Sequence, residues 1–251
     1  MAKSFYSTPV REVFGTSTAL ATTLAYGDIL NVRKQFKAVQ FYCASDVSFL
    51  LTPRIRKVLV YDASADAYAD FTTPAIDNLT TTHVNLGTMT LSDKLYVGCV
   101  DTFLGLSVNV TSVNANAATT AANYWNGGTW TALSITDGTL TATETLSQDG
   151  LYVWTIPASG YWKPISAYDI TEGAVTDADQ LYYVQMNPSA TLTAGTTITT
   201  LISINKGTDY GYYPAAMVHD FNYDEDVVGG LQFLAIAGTP TVYANFIDYK
   251  G

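Results

Sequence analysis

Tyr124-Trp125-Asn126-Gly127-Gly128-Thr129-Trp130 reads as strand, tight turn, strand. Asn-Gly supplies the positive φ angles of a two-residue hairpin, whose twist then matches that of its flanking strands. The same signal returns at Asp137-Gly138 and Asp149-Gly150, each beside an alternating apolar run, and Trp154 closes a strand before Ile156-Pro157. All four tryptophans, Trp125, Trp130, Trp154 and Trp162, fall in this stretch. They are the expected aromatic anchors of a chain built from short strands.

Working outward, strands are expected at 39–43, 47–51, 57–61, 68–71, 84–86, 95–100, 103–110, 123–125, 130–135, 151–156, 180–186 and 197–204. Turn residues separate them at short intervals, which indicates an all-β sandwich or barrel. Helix signals are weak, amounting to one short turn at 62–68 or 114–122, the latter read as a connection at the end of the sandwich. Residues 1–30, rich in Thr, Ser and Ala, read as an arm. The runs 39–43 and 47–51 read as one hairpin, and 231–236 with 241–247 as another around Gly238-Thr239-Pro240. Because chain ends often lie close together, the two hairpins are expected to join in one small β layer beside the sandwich.

Composition narrows the function. With 251 residues the chain can bury about 70% of its unfolded surface, so no disulfide is needed to hold a core. Cys43 and Cys99 each lie in an apolar strand and read as buried thiols, with a disulfide between them left open; no Cys-x-x-Cys motif occurs. Only 14% of residues are charged, so the polar surface falls mostly to Thr, Ser, Asn and Gln; threonine and the 18 tyrosines suit a pleated sheet, and tyrosine also suits contact. The N-terminus carries no apolar signal region and no run of about 18 apolar residues exists, so neither secretion nor a membrane partner is expected.

The net charge of −10 is uneven. Residues 1–60 hold eight basic and three acidic groups, and the remainder holds four basic and nineteen acidic. This suggests a basic edge, carried by Arg33, Lys34, Lys37, Arg54, Arg56 and Lys57, that docks on an acidic partner. The arginines are not interleaved with an aromatic motif and the molecule is acidic, so nucleic acid is not the expected partner.

Catalytic patterns are sparse. There is no Gly-x-Ser-x-Gly elbow, and a triad needs a histidine in reach of a nucleophile. His83 follows Thr80-Thr81-Thr82 at a strand start, and His219 sits beside Asp220 among tyrosines; both read as structural. Glu144 is expected to face water on a Thr-rich strand. Asp220 to Asp226 begins like a calcium loop, but Glu225 stands where Gly is required and Leu231 where a bidentate Glu is required, so a strand with an acidic face is expected. No glycine-rich phosphate loop occurs. The chain is read as non-enzymatic, with no cofactor and no metal. Trp125, Trp130 and Trp162 leave sugar stacking as an alternative.

The order of motifs over residues 57–205 supports a resemblance. Asp93-Lys94-Leu95-Tyr96-Val97-Gly98, Tyr124 to Trp130, Asp137-Gly138-Thr139, Leu146 to Gly150, Trp154 to Pro157 and Leu181-Tyr182-Tyr183 follow in turn. This resembles a jelly-roll-like β-sandwich module of structural proteins in tailed bacteriophage virions. Tyr183-Val184-Gln185 departs from that pattern, where a basic residue commonly follows the aromatic. The resemblance implies a capsid decoration or cement protein of the virion, bound to the major capsid protein or other virion subunits and assembled as a homo-oligomer, with a trimer favoured. A tail, neck or baseplate adaptor and a carbohydrate-binding module are the alternatives. The organisation expected is a docking layer (1–56), a jelly-roll-like sandwich (57–205) and a C-terminal segment (206–251) packing with the docking layer.

Overall fold

A computed structural model describes residues 29–31, 38–43, 45–77, 79, 81–205, 211–213, 218–222, 228–236 and 242–247. The chain divides into two compact units, one of residues 1–51 with 207–251 and one of residues 52–206. No helix among the described residues is long and apolar enough to cross a membrane.

Strands β1 (Ile29–Asn31), β2 (Ala38–Cys43) and β3 (Val47–Pro53) open the chain. The second unit then runs β4 (Ile55–Asp62), β5 (Ala67–Asp70), α1 (Thr72–Ile76), β6 (Val84–Asn85), β7 (Lys94–Cys99), β8 (Gly105–Ser112), β9 (Thr120–Trp125), β10 (Trp130–Leu133), β11 (Ile135–Asp137), β12 (Gly150–Trp154), α2 (Ala167–Ile170), β13 (Tyr182–Pro188) and β14 (Thr197–Ile204). The C-terminal segment returns β15 (Gly211–Tyr213), β16 (Val218–Asn222), β17 (Val228–Ala235) and β18 (Val242–Ile247) to the first unit.

The second unit is a β-sandwich. A six-stranded sheet, β10-β9-β13-β7-β4-β5, faces a five-stranded sheet, β11-β12-β8-β14-β6. Alternation explains the packing: on β7 Leu95, Val97 and Cys99 point inward, while Tyr96 and Gly98 lie on the other face. The interior joins Val58, Val97, Val184 and Met186 of one sheet to Leu106, Val108, Ile198 and Leu201 of the other. Taken in chain order, β4, β6, β7, β8, β9, β12, β13 and β14 alternate between the sheets, so arches wire the sandwich.

Trp154 and Trp162 are interior anchors, 2% and 4% exposed, and both pack on Phe103, with ring centroids 5.3 and 5.2 Å away. Each satisfies its indole: Trp154 Nε1–H donates to the Phe103 carbonyl at 2.8 Å and Trp162 Nε1–H to that of Tyr183 at 3.1 Å.

Several local expectations change. The β9–β10 connection holds four residues, 126–129, rather than two. Asn126 caps it by accepting from the backbone N–H of Gly128 and Thr129, and Gly127 takes φ +101°. Gly138 and Gly150 serve close approach instead of positive φ, because a Cβ on Gly150 would collide with the Gly138 carbonyl. Residues 63–66 form a turn between β4 and β5, and the segment before β9 is loop, so neither expected helical turn forms. Helices stand at α1 and α2 instead. Ser166 caps α2 by accepting from the Asp169 N–H at 3.0 Å. Glu144 sits half-buried in a turn, joined to its neighbours by isolated bridges.

Among the described residues the first unit holds two sheets, β1-β17-β3-β15 and β16-β2-β18, rather than one layer. The expected hairpins do not form: β2 and β3 lie in different sheets, and so do β17 and β18. Ala44-Ser45-Asp46 contains no glycine or Asn-Gly to set a tight hairpin turn, and each strand pairs with one from the other end of the chain. Phe49 of β3 and Phe233 of β17 meet with ring centroids 5.1 Å apart. Cys43 and Cys99 are both buried free thiols. Residues 1–28 of the expected arm lie outside the described residues, whereas residues 29 and 30 belong to β1; residues 209–210, 214–217 and 223–226 of the Tyr/Asp-rich stretch and the His219 side chain also lie outside them.

Candidate functional site

The outer face of the six-stranded sheet gathers three of the side chains singled out by the sequence, Lys57, Trp125 and Trp130. Cross-strand register places Lys57, Gly98 and Tyr183 in one row across three strands, and pairs Trp125 with Trp130 on the two strands at the sheet's other end. The row beside it holds Leu59, Tyr96, Gln185 and Asn123. Outward side chains on a sandwich usually meet water, yet here Leu59, Tyr96 and Tyr183 are buried. The segment 155–181 covers them: Ala167, Ile165, Ile170, Val175 and Leu181 complete a second apolar cluster. Its helix α2 is tied down by its own polar groups, since Thr171 Oγ1 donates to the Ala167 carbonyl and the Tyr168 N–H to the Asp177 carbonyl.

Aromatic rings continue across this face. Trp125 and Trp130 pair with centroids 5.6 Å apart, Trp130 reaches Tyr96 at 5.5 Å, Tyr96 reaches Tyr68 at 6.3 Å, and Tyr68 reaches Tyr61 at 4.7 Å. Trp125 and Trp130 are half-buried, in contrast to the two interior tryptophans. Between them and Tyr96 runs an amide ladder, in which Gln185 Nε2–H donates to the Tyr96 hydroxyl at 3.0 Å and Asn123 Nδ2–H to Gln185 Oε1 at 3.4 Å.

Lys57 closes the row at the β5 side. Its ammonium lies 2.7 Å from Asp177 and 3.1 Å from Asp70, with the side chain 11% exposed. Asp70 is held in place, its other oxygen accepting from Thr72 N–H at 2.9 Å and Thr72 Oγ1–H at 2.6 Å. Burial pulls Lys57 toward its neutral form, but the hydrogen bonds to Asp177 and Asp70 outweigh it and hold the ammonium above its usual range. The Lys57 hydrogen bond holds Asp177 below the usual carboxylate range. Burial raises Asp70, but Thr72 and Lys57 together bring it below that range. Tyr183, 0% exposed, has a buried hydroxyl with no hydrogen-bond partner, and its ring crosses Gly98, where a Cβ would meet it at 2.6 Å.

Of the six cations assigned to a docking edge, Arg33, Lys34 and Lys37 lie outside the described residues. The other three belong to the sandwich unit, whose sequence holds six basic and thirteen acidic residues. Arg54 is 5% exposed, Lys57 is committed to its two carboxylates, and Arg56 stands 3.9 Å from Asp179 at the surface. Tyr96 and Tyr183 were marked by the sequence only as motif residues, and Asp70 and Asp177 were not singled out. Alternation on β7 marks Tyr96 as outward, but nothing local marks Asp177 as a partner of Lys57.

A cleft of about 380 Å³ opens under the β4–β5 hairpin, lined by Val60, Asp62, Phe71, Met89 and Asp93 among others. Asp93 already accepts from Ala63 N–H at 2.7 Å and Thr90 N–H at 2.6 Å, so its carboxylate holds the cleft's walls together. His83 is half-buried beside β6, its Nδ1 without a partner. No group of three or more metal-ligating side chains occurs among the described residues. No known protein family and no characterised protein matches the chain.

Proposed function

We propose that this protein is a non-enzymatic structural component of a tailed-phage particle, attached to the capsid surface as a decoration or cement protein. One observation carries the reading. The motifs of the resemblance fall in order on β7, the β9–β10 hairpin, β11, β12 and β13, all strands of one sandwich, which supports the reading. The charged groups of that sandwich fit a scaffold role: buried Lys57 and Asp93, half-buried Asp137 and exposed Asp70 are engaged in contacts that hold strands and turns together. Both ends of the chain contribute to a separate unit, and the basic residues Arg33, Lys34 and Lys37 lie within its sequence range. That unit is the part assigned to docking on the major capsid protein, and a cyclic trimer would multiply weak contacts into firm attachment.

Gold-labelled antibody on purified particles tests the assignment. Label over the head supports it, and label confined to the tail, neck or baseplate replaces it with an adaptor role. Changing Arg33, Lys34 and Lys37 together to Glu is expected to weaken attachment more than it lowers the melting temperature; equal loss of both would assign these residues to folding.

A second reading rests on the half-buried Trp125–Trp130 pair. Such a pair can stack on a sugar ring, making the module a glycan binder. A glycan array with tryptophan fluorescence as the second readout decides it, and no response in either removes it.

A further inference from the structure

The Lys57 site is a charged cluster on a face otherwise built of aromatic, aliphatic and amide side chains. An ion pair alone would serve as an anchor for segment 155–181, and one carboxylate would be enough for that. This site has two, together with a wholly buried hydroxyl left without a partner. The primary amine lies 2.7 Å from Asp177 Oδ2, and Asp70 lies 3.1 Å from the same nitrogen on a backbone-fixed perch. The Tyr183 hydroxyl lies in the field of both carboxylates, beyond Gly98 in the same row as Lys57. A nucleophile, an acyl carbon and a proton carrier therefore meet at one nitrogen, and an unused hydrogen-bond donor stands along the same row.

We propose that Lys57 and Asp177 condense to an intramolecular isopeptide bond, with Asp70 carrying the protons and Tyr183 donating to the developing oxyanion. Asp70 takes a proton from the Lys57 ammonium and passes it to the Asp177 carboxyl. The freed amine attacks Cγ of Asp177, and the N–C bond forms. Asp70 then takes a second proton from that nitrogen and delivers it to the hydroxyl on Cγ, the C–O bond breaks, and one water leaves. Asp70 ends as it began, as a carboxylate. One positive and one negative charge disappear together, so the net charge is unchanged.

Two physical terms oppose the step and one favours it. The resting ion pair must first be neutralised, and water favours hydrolysis of an amide. Against these stands proximity: groups fixed in reacting geometry reach effective concentrations of about 10⁵ M or more, well above the concentration of liquid water. Asp177 is the electrophile because it is nearer and less exposed, 30% against 46% for Asp70, and because Asp70 is fixed by Thr72 in the role of base. The bond would staple segment 155–181 to β4 covalently.

Intact mass of the purified full chain tests this directly. The expected mass is lower than that of the sequence by one water, and proteolysis should yield one branched peptide joining Lys57 to Asp177. Asp70→Asn should show the full mass while remaining folded by circular dichroism. Tyr183→Phe, which removes a hydroxyl with no partner to lose, should reach the lower mass more slowly. A succinimide at Asp137-Gly138 or Asp149-Gly150 also removes one water, but it maps to a single linear peptide and is reversed by mild alkali. Wild-type protein that keeps its full mass after prolonged incubation overturns the proposal. So does loss of water that maps only to those Asp-Gly pairs, or lower mass persisting in Asp177→Ala. None of these results depends on where the protein sits in a particle.

Discussion

Replacing Tyr152 by Phe isolates one buried polar network and makes a prediction that changes sign with pH. Tyr152 lies on β12, 3% exposed. Its phenol oxygen is 2.7 Å from Thr145 Oγ1, 3.1 Å from Thr120 Oγ1 and 3.2 Å from Thr139 Oγ1. Removing the hydroxyl leaves little unpaired, since Thr145 and Thr139 both still donate to Asp137, at 2.5 and 2.6 Å. The loss near neutrality should therefore be that of one buried hydrogen bond, about 1–1.5 kcal/mol. In a unit of this size that corresponds to a fall in melting temperature of about 2–6 °C.

Burial also pushes the Tyr152 phenol up to about 12 from 10.0. An unfolded tyrosine sheds its proton near the lower value and the folded one near the higher. The contribution is thus complete below the unfolded value and is lost as pH rises toward the folded one. Two pK units amount to about 3 kcal/mol when fully expressed, and about half of that is gone near pH 11. The Phe variant has no such proton to lose. It should be less stable than wild type near pH 8, equal to it near pH 11, and more stable above that. Denaturant titrations followed by tryptophan fluorescence measure this cleanly, because all four tryptophans belong to the sandwich unit. A stability difference that stays constant between about pH 8 and 11.5 would refute the reasoning.

Two further substitutions probe the covered face. Gly98→Ala places a methyl 2.6 Å from the Tyr183 ring and should cost about 1–3 kcal/mol by overpacking, measured by the same titration; Tyr183→Leu in the same chain should recover part of it. Ser166→Ala removes the cap of α2 and should cost about 1 kcal/mol, read as earlier proteolysis within 155–181 under native conditions, with the tryptophan-reported midpoint shifting by no more than that loss.

The sequence marks strand positions far better than strand partners. Leu95, Val97 and Cys99 alternate with Tyr96 and Gly98 within six residues, so β7 and its two faces follow from local pattern. Nothing within β2 or β3 states that each will pair with a strand from the far end of the chain, because strand pairing is settled by which buried faces meet. The Asp-Gly pairs mislead for a related reason. A glycine can be required by its own φ or by a neighbour's approach, and only the neighbour distinguishes Gly150 from Gly127. Ser166 and Asp169 escaped notice in the sequence as a capping pair, because the helix they start is four residues long and has no apolar periodicity to draw attention to it.

The site follows the same logic, and Lys57 is the instructive case. Counted along the chain, it extends a basic run that looks like a docking edge. In the fold its neighbours are Asp70 and Asp177, from the adjacent strand and from the segment covering the sheet. A charge reversal at Lys57 would bring a third carboxylate, at a buried position, against Asp70 and Asp177, where like charges disfavour full ionisation. Loss of particle binding in such a variant would report damage to the sandwich. Reversals at Arg33, Lys34 and Lys37 are therefore the informative test of docking, and Lys57→Arg, which keeps the charge but cannot form the amide, separates attachment from covalent closure.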